Sequence, residues 1–321
     1  MKRLLPAWVG APRLDPILLL LFLLIIGFGL IVLYSASGQD MAVVNRQAIR
    51  LGFGLVVMLV ISQVPPRVLR AWTPWLYGIG VAMLLATLVL GVGRSTQRWL
   101  DFGVLRFQPS ELMKLAVPMM VAWYLHSRVL PPGWKSTSVI FGILLIPTLL
   151  IYRQPDLGTA LLVAASGMFT LYLAGLRWRV LFGLAGLATA AAPLLWLVMK
   201  EYQRDRVRTF LNPEADPLGH GWNIIQSKIA VGSGGLTGKG WMNGTQSNLE
   251  FIPERHTDFI LAVLSEEFGL MGVALLMLTY LLVIARGLYI ASVARDPGSR
   301  LLAGALSLTL VVYVLVNGGL V

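Results

Sequence analysis

The sequence predicts an all-α fold, a polytopic bundle of transmembrane helices. Of its 321 residues, 57% are hydrophobic and only 13% are charged, so the chain is too apolar for a soluble globular domain. Its apolar runs are long: residues 16–34 contain no charged side chain, and about 20 such residues cross a bilayer as a helix. The net charge of +11 comes from basic residues in the loops between these runs, as membrane topology requires.

Nine apolar segments are candidate spans. They lie at about 16–35, 47–63, 72–92, 110–125, 138–152, 157–175, 179–199, 258–285 and 301–319. The fourth and fifth are the least regular, because Glu111 and Lys114 interrupt one and Pro147 the other. We expect a single transmembrane domain over residues 1–321, with a long extracytoplasmic loop at about 200–257 between spans seven and eight.

The basic residues determine the orientation of the bundle. With a cytoplasmic N-terminus, the inside loops contain twelve basic residues and only two acidic ones, Asp15 and Asp296. The outside segments mix fourteen basic with eleven acidic residues, so the positive-inside rule predicts this orientation. No basic cluster is interleaved with aromatic residues, and we therefore expect no nucleic-acid partner.

An ionisable side chain at membrane depth is a candidate functional group, which directs attention to Glu111 and Lys114. At a spacing of three residues they share one face of the fourth span. Two interpretations stay open: a structural ion pair near the end of the helix, or a pair that orients or charge-balances a catalytic site.

Two aspartates lie at outer helix starts. Asp156 stands in QPDLGT before the sixth span, and Asp258 follows PERHT at the eighth. Each is explained by helix capping or by the helix dipole alone. However, the orientation places Glu111, Asp156 and Asp258 at one outer level, where carboxylates suit general-base work on a hydroxyl or a hard cation such as magnesium or manganese.

The long outer loop supplies candidates for binding a diphosphate. Basic residues that meet this description are Arg204, Arg206, Lys228, Lys239 and Arg255. The glycine-rich stretch 233–246, SGGLTGKGWMNGTQ, either presents backbone amides to an anion or is a flexible loop. It matches neither a P-loop nor a Rossmann fingerprint.

Two further carboxylates, Glu266 and Glu267, lie about two turns into the eighth span. We expect them to be buried. They either form hydrogen bonds that pack helices together or line a polar path through the membrane.

Four stretches resemble signatures of the SEDS family (shape, elongation, division and sporulation). They are QRWLDFGVLRFQPSELMK, QPDLGT, DPLGHGWNIIQSKIAVGSGGLTGKGW and NLEFIPERHTDFI, in the order of the family. The resemblance covers essentially the whole chain. SASGQD near residue 35 and QSKIAVGSGG from Gln226 are more similar to the elongation member of the family than to the division member.

The resemblance implies a ten-helix bundle that polymerises lipid II, the undecaprenyl-diphosphate-linked disaccharide pentapeptide, with a class B penicillin-binding protein as partner. This chain stops at NGGLV, before the tenth helix, so nine spans are expected. The family's proposed catalytic acid corresponds to Asp258, acting as general base or as ligand of a Mg²⁺ or Mn²⁺ ion. The other family positions correspond to Glu111, Lys114 and Asp156, and Trp99 is a candidate substrate-binding residue.

Two other classes of function remain alternatives to the enzyme. A lipid II flippase is suggested by Lys114, Glu266 and Glu267 at membrane depth. A scaffold that activates a penicillin-binding protein is suggested by the large outer loop.

Overall fold

The computed structural model describes residues 14–92, 98–101, 103, 106–199, 201–212, 214, 216–217, 221–248 and 256–319, and most of these residues are helical. The helices are α1 (Pro16–Ala36), α2 (Met41–Gln63), α3 (Pro66–Leu90), α4 (Pro109–Leu125), α5 (Trp134–Arg153), α6 (Leu157–Leu173), α7 (Trp178–Val198), α8 (Glu201–Leu211), α9 (Trp222–Gly234), α10 (Thr245–Asn248), α11 (Ile260–Val293) and α12 (Pro297–Gly319). One short hairpin joins β1 (Leu100–Asp101) to β2 (Arg106–Phe107).

The predicted helical fold class is confirmed, because each of the nine predicted segments coincides with a helix. Within the described residues, six helices are long and apolar enough to cross a membrane, namely α1, α2, α3, α5, α11 and α12. The chain is therefore a multi-pass membrane protein. The number of nine spans stays a prediction, since α4, α6 and α7 coincide with predicted spans without meeting those limits among the residues described.

Four predicted helix starts were several residues too late, those of α2, α3, α5 and α12, the last two by four residues each. The second segment was predicted from residue 47, but α2 begins at Met41, where Asp40 accepts a hydrogen bond from the Ala42 backbone N–H at 2.8 Å. The third was predicted from residue 72, but α3 begins at Pro66, a residue that suits the first helical turn. Hydropathy marks the part of a helix that lies in lipid, and both helices extend beyond it.

The long outer loop contains three helices, α8, α9 and α10, which the hydropathy pattern did not predict. Its glycine-rich stretch is ordered against α11, as shown below, so the interpretation as a flexible loop was wrong.

The chain divides into two compact units. The first comprises residues 62–181 and 284–313, and the second comprises residues 14–61, 182–283 and 314–319 in their described parts. In the first unit, α3, α4, α5 and α6 pack on one another. Their shared core includes Leu84, Met113, Val117 and Ile140, all without exposed surface.

An ion cluster joins three elements of the first unit at the side predicted to be cytoplasmic. Arg70 Nη2 on α3 contacts Asp296 Oδ2 at 2.6 Å, and His126 at the end of α4 contacts Asp296 Oδ1 at 3.2 Å. Asp296 directly precedes α12 and accepts hydrogen bonds from the Ser299 N–H and hydroxyl, both at 2.8 Å. Partial burial alone would raise the pKa of Asp296, but the Ser299 hydrogen bonds and the Arg70 and His126 charges outweigh it and lower that pKa.

In the second unit, α11 is interrupted at Gly269, whose φ of 63° and ψ of −162° are not helical. The glycine-rich stretch pairs with this break. The N–H groups of Lys239 and Gly240 donate to the carbonyls of Glu266 and Glu267, both at 3.0 Å, and Leu270 N–H donates to Gly235 O at 2.9 Å. Backbone groups that the break releases from the helix are thereby satisfied within the chain, as a membrane environment requires.

We expect Asp296→Asn to lower the free energy of unfolding at neutral pH by about 1–3 kcal/mol, because Arg70 loses its anionic partner and the α12 cap is weakened. Folding depresses the pKa of Asp296, so its stabilising effect is complete above the unfolded-state value of about 4 and is lost as pH falls through the lower folded-state value. Thermal unfolding in detergent at a series of pH values should show the variant and the original protein converging at acid pH. A difference in melting temperature that stays constant with pH would contradict the electrostatic explanation.

Candidate functional site

The N-terminal end of α4 carries the predicted Glu111–Lys114 pair. The Lys114 ammonium lies 2.7 Å from Glu111 Oε1 and 5.2 Å from the centre of the Tyr313 ring on α12. Only 13% of the Lys114 side chain is exposed, against 53% for Glu111. The lysine is therefore fixed between α4 and α12, while the glutamate keeps one face open to a ligand.

Asp156 combines a cap with an ion pair. Its Oδ1 accepts a hydrogen bond from Thr159 N–H at 3.2 Å, which caps α6. Its Oδ2 lies 3.3 Å from Arg98 Nη1 and 3.5 Å from the Gln108 amide nitrogen. Because Gln108 is the residue that precedes α4, it links the outer end of α4 to that of α6.

The hairpin segment places Arg98 and Trp99 beside this site. Trp99 pairs with Val92 through two backbone hydrogen bonds of 2.9 and 3.3 Å, and its side chain is 42% exposed. Arg98 donates to the Pro155 carbonyl at 2.6 Å as well as contacting Asp156. Trp99 is therefore available to a ligand, whereas Arg98 holds the start of α6.

Asp258 lies in the second unit, in the turn just before α11 begins at Ile260. The residue is exposed, whereas the following Phe259 packs on the buried pair Ala230 of α9 and Ala262 of α11. The apolar neighbour anchors the turn and leaves the carboxylate accessible to substrate or cation.

The predicted phosphate-binding residues have different surroundings. Lys228 is exposed on α9. The Arg204 guanidinium donates to the carbonyls of Trp196 and Leu197 at 2.9 and 2.8 Å, and so caps the end of α7. Lys239 contacts Glu266 at 2.7 Å. Arg255 and the Arg206 side chain lie outside the described residues.

Three central amides of the glycine-rich stretch are not available to an anion. The N–H groups of Gly238, Lys239 and Gly240 donate to the carbonyls of Gly234, Glu266 and Glu267. The anion-binding interpretation of these amides was therefore wrong, because they already donate hydrogen bonds to backbone carbonyls of α9 and α11.

The predicted carboxylates are brought together only in part. Glu111 and Asp156 lie at the starts of helices that Gln108 connects. Asp258 belongs to the second unit, and its convergence with the other two stays a prediction.

A cation has no protein-built cage in the described part of the chain, where no three His, Cys, Asp or Glu residues group to hold a metal. An exposed single carboxylate such as Asp258 nevertheless fits the way Mg²⁺ is often held, by one or two carboxylates together with water and substrate phosphate oxygens.

Sequence reasoning missed Arg98, Gln108 and Tyr313 as parts of the site. Arg98 and Gln108 stand within the stretch QRWLDFGVLRFQPSELMK, so the family signature contained a signal for both. Tyr313 lies in an apolar span and carries no comparable signal.

The fold and the site define a multi-pass membrane protein with polar residues at the N-terminal ends of α4, α6 and α11. The family model described as "Cell cycle protein", named for FtsW, RodA and SpoVE, matches residues 16–321. The chain belongs to this family, the SEDS family, and the resemblance inferred from the four stretches is confirmed.

Individual relatives agree with the family assignment. The chain is 51% identical to the peptidoglycan glycosyltransferase MrdB of Escherichia coli K12 over 311 residues, which cover 96% of this chain and 84% of that protein. A chain of a solved peptidoglycan synthase complex matches with a TM-score of 0.81 and 31% identity, covering 95% of this chain and 86% of its own length. The rod shape determining protein RodA of Thermus thermophilus matches with a TM-score of 0.70 and 28% identity, covering 98% and 86% respectively.

We expect Arg98→Met to lower the free energy of unfolding by about 1–3 kcal/mol, because it leaves the mostly buried Asp156 carboxylate without its cation. Arg106→Met is the matched control, since Arg106 pairs with Asp101 on the same hairpin but is 74% exposed. Thermal unfolding in detergent should separate the two variants. Equal melting temperatures would show that the Arg98–Asp156 pair does not hold the start of α6.

Proposed function

We propose that this chain is a peptidoglycan glycosyltransferase that polymerises lipid II into glycan strands during cell-wall elongation. The observation that carries the proposal is the 51% identity, over 96% of the chain, to a protein named as such an enzyme. The accessible carboxylate of Asp258 at the start of α11 supports the assignment of the chemistry to this end of the helix.

In the proposed reaction, a sugar hydroxyl of the acceptor attacks the anomeric carbon of the donor sugar. Asp258 accepts the hydroxyl proton as general base while the new glycosidic C–O bond forms. The bond from the anomeric carbon to the diphosphate oxygen breaks, and undecaprenyl diphosphate leaves with the bonding electron pair.

The other predicted residues have supporting roles in this proposal. Glu111 and Lys114 balance charge at the reacting centre, and Asp156 holds the outer end of α6 beside them. Lys228 and Trp99, which are both exposed, contact the diphosphate and the sugar of lipid II. Arg204, Arg206 and Arg255 remain candidates for the leaving diphosphate, whereas Lys239 already contacts Glu266.

A divalent cation, Mg²⁺ or Mn²⁺, is proposed as a cofactor. Asp258 would hold it together with oxygens of the lipid II diphosphate, where the ion would neutralise charge on the leaving group.

The proposed topology has nine spans in this chain and a cytoplasmic N-terminus. It follows from the distribution of basic residues and places α8, α9, α10 and Asp258 on the extracytoplasmic face of the bacterial inner membrane. A class B penicillin-binding protein is the proposed partner. The related chain from a synthase complex described as coordinating polymerization and crosslinking supports this choice.

The flippase alternative has less support than the enzyme. It was based on ionisable groups at membrane depth, but Lys114 contacts Glu111, Glu266 contacts Lys239, and Glu267 accepts a hydrogen bond from Ser35. These contacts explain the charged residues as structural elements. The scaffold alternative predicts partner binding without intrinsic polymerisation.

We expect Asp258→Asn to lower the rate of lipid II polymerisation by about 10²–10⁴-fold, the range of a lost general base. Labelled lipid II would be incubated with the purified protein and its penicillin-binding partner, and glycan strands would be counted after gel separation. Asp40→Asn is the control, because Asp40 is also exposed and directly precedes a helix.

The outcomes separate the hypotheses. Polymerisation by the Asp258 variant at the original rate would overturn the assignment of this residue, and transbilayer movement of lipid II without polymerisation would overturn the enzyme. Loss of activity with a chelator, restored by Mg²⁺ or Mn²⁺, would support the cation.

A further inference from the structure

The glycine-rich stretch is attached to α11 by side chains as well as by its backbone. We define residues 235–246 as the clasp segment. Its Lys239 ammonium lies 2.7 Å from both Glu266 Oε1 and the Thr245 hydroxyl, and that hydroxyl donates to the same Glu266 oxygen at 3.0 Å. The Gln246 N–H donates to this oxygen at 3.0 Å. One carboxylate thus receives donors from three positions of the segment.

The backbone of the glycine-rich stretch lies very close to the backbone of α11. A Cβ atom on Gly238 would lie 2.1 Å from the Glu267 carbonyl oxygen, and one on Gly234 would lie 2.0 Å from the Ser265 carbonyl oxygen. Gly238 also has a φ of 78°, which favours glycine. The glycines therefore allow backbone to lie directly on backbone, which brings Lys239 within reach of Glu266.

We call the contact of the clasp segment with Glu266 and Glu267 of α11 the joint. The end of α1 contacts the joint as well. The Ser35 hydroxyl donates to the Glu267 carboxylate, and the Trp241 indole N–H donates to the Ile31 carbonyl at 3.3 Å. Glu266 and Glu267 have 0% and 1% of their surface exposed. Both buried carboxylates therefore accept hydrogen bonds from the clasp segment, Glu267 from the Met242 and Gly244 backbone N–H groups, and Glu267 accepts one from α1 as well.

The joint connects α9 and α11, and both helices lie next to or contain candidate residues of the reaction. The clasp segment continues directly from α9, which bears Lys228, and the outer half of α11 follows directly from Asp258. Glu266 lies about 12 Å along the helix from Asp258, given 1.5 Å per residue, and so does not touch it. The Lys239–Glu266 contact connects the two elements at their inner ends.

We propose that Lys239 and Glu266 are positioning residues, whose ion pair fixes α9 and the outer half of α11 relative to each other and thereby orients Asp258 and Lys228. The proposal rests on the polymerase function proposed above. It assigns Lys239 to the protein interior instead of to the substrate diphosphate. A buried charge that has lost its partner destabilises its surroundings, so loss of either residue displaces the same joint.

We expect Lys239→Met and Glu266→Gln each to lower kcat by about 10–100-fold with KM changed less than about twofold, because a displacement near 1 Å of a catalytic group costs about that much. The double variant should be no slower than the slower single variant, since both changes remove one contact. Lys135→Met, in the first unit, is the control for loss of an exposed lysine. Melting temperatures of all variants show whether they fold, and the double variant, in which neither member of the Lys239–Glu266 pair is left without its partner, tests the proposal even where a single variant fails to fold.

A structural measurement tests the joint without reference to activity. Because the chain contains no cysteine, spin labels attach only at the introduced changes Lys228→Cys and Asp258→Cys. The distance distribution between them, measured by electron paramagnetic resonance, should broaden or shift when Lys239→Met or Glu266→Gln is added.

An unchanged distance distribution would overturn the positioning role whether or not the protein polymerises lipid II. A rise in KM of about tenfold in Lys239→Met, with Glu266→Gln unaffected, would also overturn it and assign Lys239 to substrate. A protein that shows the expected distance change but no polymerisation with its partner would support the joint and overturn the proposed polymerase.

Discussion

Every backbone N–H and C=O group that enters a bilayer must find a hydrogen-bond partner within the chain, and this constraint accounts for most of the structure. Helices meet it automatically along their length, so the long apolar segments are helical. The requirement becomes specific where a helix is interrupted. At Gly269 of α11 the released carbonyls of Glu266 and Glu267 accept hydrogen bonds from the clasp segment. An interruption of this kind persists only together with its complementary backbone.

The same constraint determines which residue types occupy the joint. Backbone pairing at this distance leaves no room for Cβ atoms at Gly234 and Gly238. The buried carboxylates beside the pairing require hydrogen-bond partners, and Glu266 receives them from the paired segment. Lys239 follows Gly238 directly and meets Glu266. The sequence GKG is therefore explained by helix interruption and charge pairing, which makes a nucleotide-type phosphate loop unnecessary.

Hydropathy and charge predicted the helical class and the approximate position of every long helix, because solvation by lipid acts on each segment separately. The clasp segment and the Arg98–Asp156 pair were not predicted, since each depends on contacts between residues distant in sequence. The start of α2 was missed for a related reason: Asn45 and Arg46 lower the hydropathy of a turn that is helical nonetheless. Glu111 and Asp156 were predicted to lie at one level together with Asp258, and the structure shows that Gln108 links the helix starts that carry the first two. The orientation on which that prediction rested stays a prediction.

The carboxylates separate into two groups by solvation, and the separation indicates which are able to react. Glu266 and Glu267 are buried and engaged by fixed donors, so a proton or cation reaches them only by breaking the joint. Asp258 is exposed, and Glu111 is about half exposed, so both meet a substrate without rearrangement of the helices. An enzyme requires reacting groups that its substrate can reach and rigid supports beneath them. Burial is consistent with the supporting role proposed for Glu266, and exposure is consistent with the role in the chemistry proposed for Asp258.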